Sequence, residues 1–324
     1  MTSGHEPAGF NFTVGRPPGN PSVAVMRPRP HWSPLALLFF GLALLGQPHR
    51  LGAATIKVAC VGDSITEGSG LGSPATESYP AKLQRLLGTN YLVRNFGVSG
   101  RTLLRKGDFP YWNESAYTQS RSFGPDVVII KLGTNDSKPQ NWRHGTNFTT
   151  DYEALIASYA ALPTQPRIML VTPCPVYRTG AFDIRPAIVA TNIAPATREL
   201  AAGLGLELVD LHTRLGNHGE WFPDTVHPNS RGTTVMAALF AAAITRAAVE
   251  PSATAAEIAV VPANRVALSW PSAAAGLVLQ SVTSLAGTPA WTVVEQVAVN
   301  NGQTVIVTNT VPTAGARFYR LWQP

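Results

Sequence analysis

Four short segments carry residue types that together suit acyl transfer. Asp63-Ser64 follows an apolar run ending at Gly62, so a hydroxyl stands just past a strand end. A second run leads into Asn95-Phe96-Gly97-Val98-Ser99-Gly100, where glycine lets backbone N–H groups come close to a ligand. A third leads into Leu132-Gly133-Thr134-Asn135, whose side-chain amide is a neutral donor for an oxyanion. Asp224-Thr225-Val226-His227 puts a carboxylate three residues before an imidazole. On a turn, that spacing lets the carboxylate accept from Nδ1–H and leaves Nε2 to face a serine hydroxyl.

Each segment alone has a plainer reading, because Gly-Asp-Ser, Gly-rich and Asp-x-x-His stretches are common turn sequences. Three other histidines compete for the role of base. His212 has Asp210 nearby, but two-residue spacing on an extended chain points both side chains the same way. His144 and His218 lie in loops with no Asp at a useful spacing. Asp63 and Asp136 flank the reactive groups and read as residues that fix turns by accepting backbone N–H bonds.

The elements that must position these groups are legible as alternating short apolar runs and amphipathic stretches. Residues 56–61, 91–96, 127–132, 168–172 and 206–211 read as strands, mostly too uniformly apolar to have a wet face. Helices are expected at 79–87, 151–161, 188–202 and 231–249. The alternation predicts a mainly parallel five-stranded sheet with helices on both faces, and ligands outside the carboxyl ends of the strands. Three of the four segments fall at such ends, and the fourth precedes the last helix.

With all four in order, the sequence resembles the GDSL, or SGNH, hydrolase family over roughly residues 55–248, at Ser64, Gly100, Asn135 and the Asp224/His227 pair. The resemblance implies a flavodoxin-like three-layer α/β/α domain. Ser64 would be the nucleophile, His227 its base and Asp224 the residue that orients the imidazole. The Ser64 and Gly100 N–H groups and Asn135 Nδ2 would form the oxyanion hole. Ile65 stands where Leu gives the family its name, and Thr134 replaces a second Gly; neither change removes a functional group.

Composition changes after residue 250. A linker rich in Ala and Pro is expected over 251–262, then a small all-β, sandwich-like module over 263–324, with runs at 266–270, 277–282, 291–299, 304–308 and 317–322. Asn300-Asn301-Gly302 fits a hairpin turn. Glycan binding, surface attachment and packing against the catalytic domain are all open roles for this module.

Residues 1–54 read as an N-terminal extension and signal peptide. The apolar run 35–45 follows Arg27 and Arg29 and precedes Gly52-Ala53-Ala54, which implies export to the periplasm, cell surface or medium, with cleavage near Ala54. Residues 1–25, rich in Pro and Gly, do not resemble an n-region, and Met26 is the expected start of translation.

The formal charge of +6 supports no nucleic-acid partner: four Lys/Arg against one Asp/Glu precede residue 55, leaving 21 against 18 spread through the rest. Cys60 and Cys174 allow at most one disulfide, and each sits by a core strand, which favours buried thiols. No metal or cofactor is implied, since no His/Glu cluster has helical spacing and Gly68-Ser69-Gly70-Leu71-Gly72 opens a loop, not a helix.

For the substrate, Trp142 ends a polar loop after Asn135, and Trp112 lies with Tyr111 and Tyr117 in the 101–123 loop. Polar groups beside aromatic faces suit a sugar, although the same aromatics could simply pack the loops down. The 131–142 stretch is similar to that of SGNH enzymes that remove acetyl groups from glycans. The expectation is therefore an esterase for O-acetylated carbohydrates, the alternatives being a lipid or aryl-ester acylhydrolase and a non-catalytic glycan-binding protein.

Overall fold

Alternation of side chains along the short apolar runs accounts for the two faces of the main sheet. In the computed structural model, which describes residues 12–14, 54–179, 181–245, 256–262, 265–296, 298–310 and 316–324, the runs form strands β2 (Ile56–Gly62), β3 (Tyr91–Gly97), β4 (Val127–Lys131), β5 (Arg167–Val171) and β6 (Glu207–Val209). All neighbours pair in parallel, in the order β3-β2-β4-β5-β6. Val58, Cys60 and Ile129 face one apolar cluster, and Ala59, Val61, Val128 and Ile130 face the other. β4 is buried throughout, and β2 from Val58 and β5 from Ile168 onward, whereas the edge strand β3 keeps exposed positions such as Arg94 and Asn95. The helices Tyr79–Leu87 and Ser230–Thr245 supply the first cluster. Phe148–Ala160 and Ala194–Leu204 supply the second. This is the expected three-layer α/β/α arrangement, and every strand ends at one edge.

Element ends differ from expectation for local reasons. β6 stops at Val209 because the Asp210 side chain caps the helix Leu211–Arg214, accepting from Thr213 N. The expected helix 188–202 is a composite, with a π-helical turn Val189–Ile193 leading into Ala194–Leu204. A run of apolar periodicity does not reveal that one-residue bulge.

The carboxy-terminal part forms two antiparallel sheets. One contains β7 (Glu257–Val261), β8 (Arg265–Pro271), β11 (Val299–Asn300) and β12 (Thr304–Thr310); the other contains β9 (Val278–Val282), β10 (Thr292–Val293) and β13 (Arg317–Trp322), with β1 (Phe12–Val14) paired to β13. β7 lies inside the stretch read as a linker, and the run 291–299 divides between the two sheets. The expected turn joins β11 to β12, with Asn301 Oδ1 accepting from Thr304 N at 2.8 Å and Gly302 at φ 96°. β1 falls within the N-terminal extension; the apolar run 35–45, the cleavage site expected near Ala54 and Met26 lie outside the described residues or at their boundary.

Trp270, Val278, Leu279 and Tyr319 of these sheets share one continuous apolar cluster with Met236 and Phe240 of the helix Ser230–Thr245. Gly276 makes the approach possible, because a Cβ there would lie 2.5 Å from that of Ala242. Asn300 Nδ2 donates to Leu86 O at 2.7 Å.

Candidate active site

The end of β2 turns sharply into the short helix Ser64–Glu67, whose N-cap is Asp63: its Oδ1 accepts from Ile65 N at 3.0 Å. Asp63 does more than cap. Lys131, the last residue of β4, places Nζ 3.0 and 3.1 Å from the two Asp63 oxygens and 3.2 Å from Thr134 Oγ1. Both charged side chains are fully buried. An ion pair so placed ties the Ser64 turn to the turn carrying Asn135. Sequence reading missed it; the available signal was a lysine closing an otherwise apolar strand.

Gly100 follows β3 at φ 81°, a left-handed conformation that suits glycine, with nothing within 4 Å of where a Cβ would point. Its backbone is thus held in an unusual orientation beside open space. Asn135, almost fully buried, donates one Nδ2–H to Arg101 O at 3.1 Å, leaving the second amide hydrogen to serve a ligand. Asn141 Nδ2 braces the same turn by donating to Asn135 O at 2.9 Å. Asp136 accepts from Leu103 N and Leu104 N at 3.0 and 2.7 Å, pinning the Gly100 loop to the Asn135 turn. Burial pushes its pKa up to about 7 despite those bonds.

The turn before the helix Ser230–Thr245 brings His227 to Ser64. His227 Nε2 lies 2.8 Å from Ser64 Oγ, and His227 Nδ1 lies 2.7 Å from Asp224 Oδ2. Asp224 Oδ1 accepts from Val226 N and His227 N at 2.9 and 2.7 Å. Partial burial raises the Asp224 pKa, but these N–H groups and the imidazole outweigh it and hold the carboxyl below its ordinary value. Thr225 takes φ 74°, a strained setting for a β-branched residue, and this bend folds Asp224 back onto the imidazole. A hydroxyl, imidazole and carboxylate in this order can activate an oxygen nucleophile and stabilise the imidazolium that forms.

The three competing histidines have other surroundings. Asp210 pairs with Arg198 at 2.9 Å and does not serve His212. His218 stacks on Trp221 at 3.7 Å with Nδ1 3.0 Å from Glu220. His144 sits 3.1 Å from Arg143 Nε. Cys60 and Cys174 are free, buried thiols whose pKa values burial raises. Among the described residues no group of three or more His, Cys, Asp or Glu is placed to hold a metal.

Trp112 and Trp142 are half-buried and pack the loops down. Trp112 donates to Leu103 O at 2.8 Å, and the Arg105 guanidinium covers its ring at 3.9 Å. Trp142 lies against Phe148 at 6.0 Å, with Gly145 directly on its indole. An aromatic ring that does meet His227 is Phe182, exposed, with its centroid 5.2 Å from that of the imidazole.

The sequence model of the GDSL-like lipase/acylhydrolase family matches residues 60–235. The chain belongs to that family. The GDSL-like match runs from β2 into the last helix of the α/β domain and so includes Ser64, Gly100, Asn135, Asp224 and His227. An acetylxylan esterase of Xylanibacter ruminicola is 44% identical over 207 residues, spanning 58% of this chain and 43% of the relative. The chain thus spans less than half the length of that curated relative. Among solved structures, an aryl esterase of M. smegmatis aligns with TM-score 0.49 at 21% identity, over 59% of this chain and 99% of that one. A carbohydrate acetylesterase from Sinorhizobium meliloti aligns with TM-score 0.47 at 20% identity, over 58% and 99%.

Proposed function

We propose that this GDSL-like chain is a serine esterase that removes acetyl groups from O-acetylated carbohydrates. The observation that carries the reading is the unbroken pair of contacts from Ser64 Oγ through His227 to Asp224, at 2.8 and 2.7 Å. In the proposed reaction Ser64 Oγ gives its proton to His227 Nε2 and attacks the ester carbonyl. The oxyanion is held by the N–H groups of Ser64 and Gly100 and by Asn135 Nδ2. Collapse breaks the bond to the alcohol, which leaves with the proton from His227. Water, activated by the same imidazole, then hydrolyses the acyl-enzyme.

The carbohydrate part of the proposal is supported by the 44% identity to an acetylxylan esterase. Export, itself proposed from the apolar run 35–45 and the small residues before Thr55, fits that substrate. Among the described residues no helix is long and apolar enough to cross a membrane. The proposed partner is a glycan or small-molecule ester, with no nucleic acid and no cofactor.

The test is hydrolysis of acetylated xylo-oligosaccharides, p-nitrophenyl acetate and p-nitrophenyl octanoate by the wild type and Ser64→Ala. The proposal expects acetyl esters to be cleaved far faster than octanoyl esters, and both activities to depend on Ser64. A preference for octanoate would move the substrate to lipids, and a wild type inert on every ester would leave a binding protein.

A further inference from the structure

Phe182 occupies an unusual place on the rim of the site. Its side chain is 58% exposed, yet its ring meets the His227 imidazole edge-on, at 5.2 Å between centroids and 77° between planes. Its backbone takes φ 57° and Asp183 follows at φ 58°, two successive left-handed residues without a glycine. Such strain persists only where the surroundings enforce it. They do so on both flanks. Buried Ile184 packs with Val176, Val189 and Val226, the last being the neighbour of His227. Tyr177 N donates to Thr225 O at 3.1 Å, and Arg185 N donates to Ser137 Oγ at 3.1 Å, two residues beyond Asn135. The segment is therefore clamped between the turn of the base and the turn of the oxyanion donor, with an apolar ring held out to solvent at its crest.

We infer that Phe182 is the platform that receives the alcohol half of the ester, a specificity-determining residue for esters of ring alcohols such as pyranoses. The inference rests on the esterase reading above. Direction follows from the chemistry: the imidazole that takes the serine proton returns it to the departing oxygen, so the alcohol leaves beside His227. The carbonyl oxygen points instead toward Gly100 and Asn135. A side chain touching the imidazole therefore borders the leaving group and not the oxyanion. The aromatic face, with its negative potential, suits the C–H face of a saturated ring lying on it.

The experiment measures kcat/KM for methyl acetate, cyclohexyl acetate, cyclohexyl butyrate and acetylated xylo-oligosaccharides with the wild type, Phe182→Ala and Phe182→Trp. Phe182→Ala should cost the ring esters about tenfold more than methyl acetate, mainly through KM, as expected for one lost aromatic contact. Phe182→Trp should retain the ring preference, and the acetate-to-butyrate ratio should stay with the wild type in both. A wild type that leaves acetylated oligosaccharides intact, while cyclohexyl acetate still shows the Phe182-dependent gain, defeats the carbohydrate reading and keeps the platform. Equal losses on methyl and ring esters, no differential loss, or an altered acyl-chain preference overturns the platform.

Discussion

The ammonium of Lys131 lies 3.0 and 3.1 Å from the two carboxylate oxygens of Asp63, the neighbour of Ser64, and both side chains are fully buried. A buried pair of this kind adds little net stability over an apolar pair, but losing one partner strands a charge. Lys131→Met should lower unfolding free energy by about 3–5 kcal/mol in urea titration. Lys131→Met combined with Asp63→Asn should recover much of that loss, because the amide still offers an oxygen to Ile65 N. A single-variant loss under about 1 kcal/mol would remove the pair from this role.

Asn135 should act in the transition state and little before it. Its half-engaged amide donates to Arg101 O and has one hydrogen left. Asn135→Ala should therefore reduce kcat by about 10²–10³ with a small change in KM, read from steady-state kinetics on p-nitrophenyl acetate. A pure KM effect would make Asn135 a ground-state contact.

Asp136 predicts the sign of one pH effect. Burial raises its carboxyl from 3.8 to about 7 in the folded chain. Between those values the folded state holds a proton that the unfolded state has lost, so this residue makes stability fall as pH rises from about 4 to about 7, and level off above. Asp210, drawn down to about 2 by Arg198 and Thr213 despite partial burial, acts oppositely: its contribution is present above about 4 and is lost as pH falls toward 2. Denaturant midpoints measured across pH 4–8 should decline less steeply for Asp136→Asn than for the wild type. Parallel curves would contradict the assignment.

The carboxy-terminal sheets share their core with the helix Ser230–Thr245, so they should unfold with the α/β domain in one cooperative transition. Gly276→Ala, whose methyl would press on Ala242, should cost about 1–3 kcal/mol of that single transition. Two separated transitions, with only one moved by the substitution, would show an independent module.

The meeting of Ser64, His227 and Asp224 was legible because these residues sit where local patterns change. Ser64 and Asn135 follow predominantly apolar strands, and parallel pairing then delivers both to one edge. Asp224 and His227 share one turn, so their spacing alone carried the contact. What stayed hidden depends on tertiary approach. Lys131 and Asp63 are 68 positions apart, and a lone lysine at a strand end says nothing of its partner. Trp112 and Trp142 looked like sugar platforms by type, but Arg105 and Gly145 cover them. Phe182 carried no signal, since left-handed backbone at a non-glycine residue is imposed by its anchors and not by its own sequence. β1 pairs with a strand at the far end of the chain, a contact that no local pattern encodes.

The contact between Ser64 and His227 is tested most directly by covalent capture. The protein is treated with a p-nitrophenyl alkylphosphonate, and adducts are located by peptide mass spectrometry while residual hydrolysis is followed. One phosphonyl group should appear per chain, on Ser64, with activity lost in proportion; His227→Ala should slow labelling by at least about 10²-fold, and Ser64→Ala should take no label. Labelling at another residue that tracks the loss of activity, or full hydrolysis by Ser64→Ala, would contradict the account.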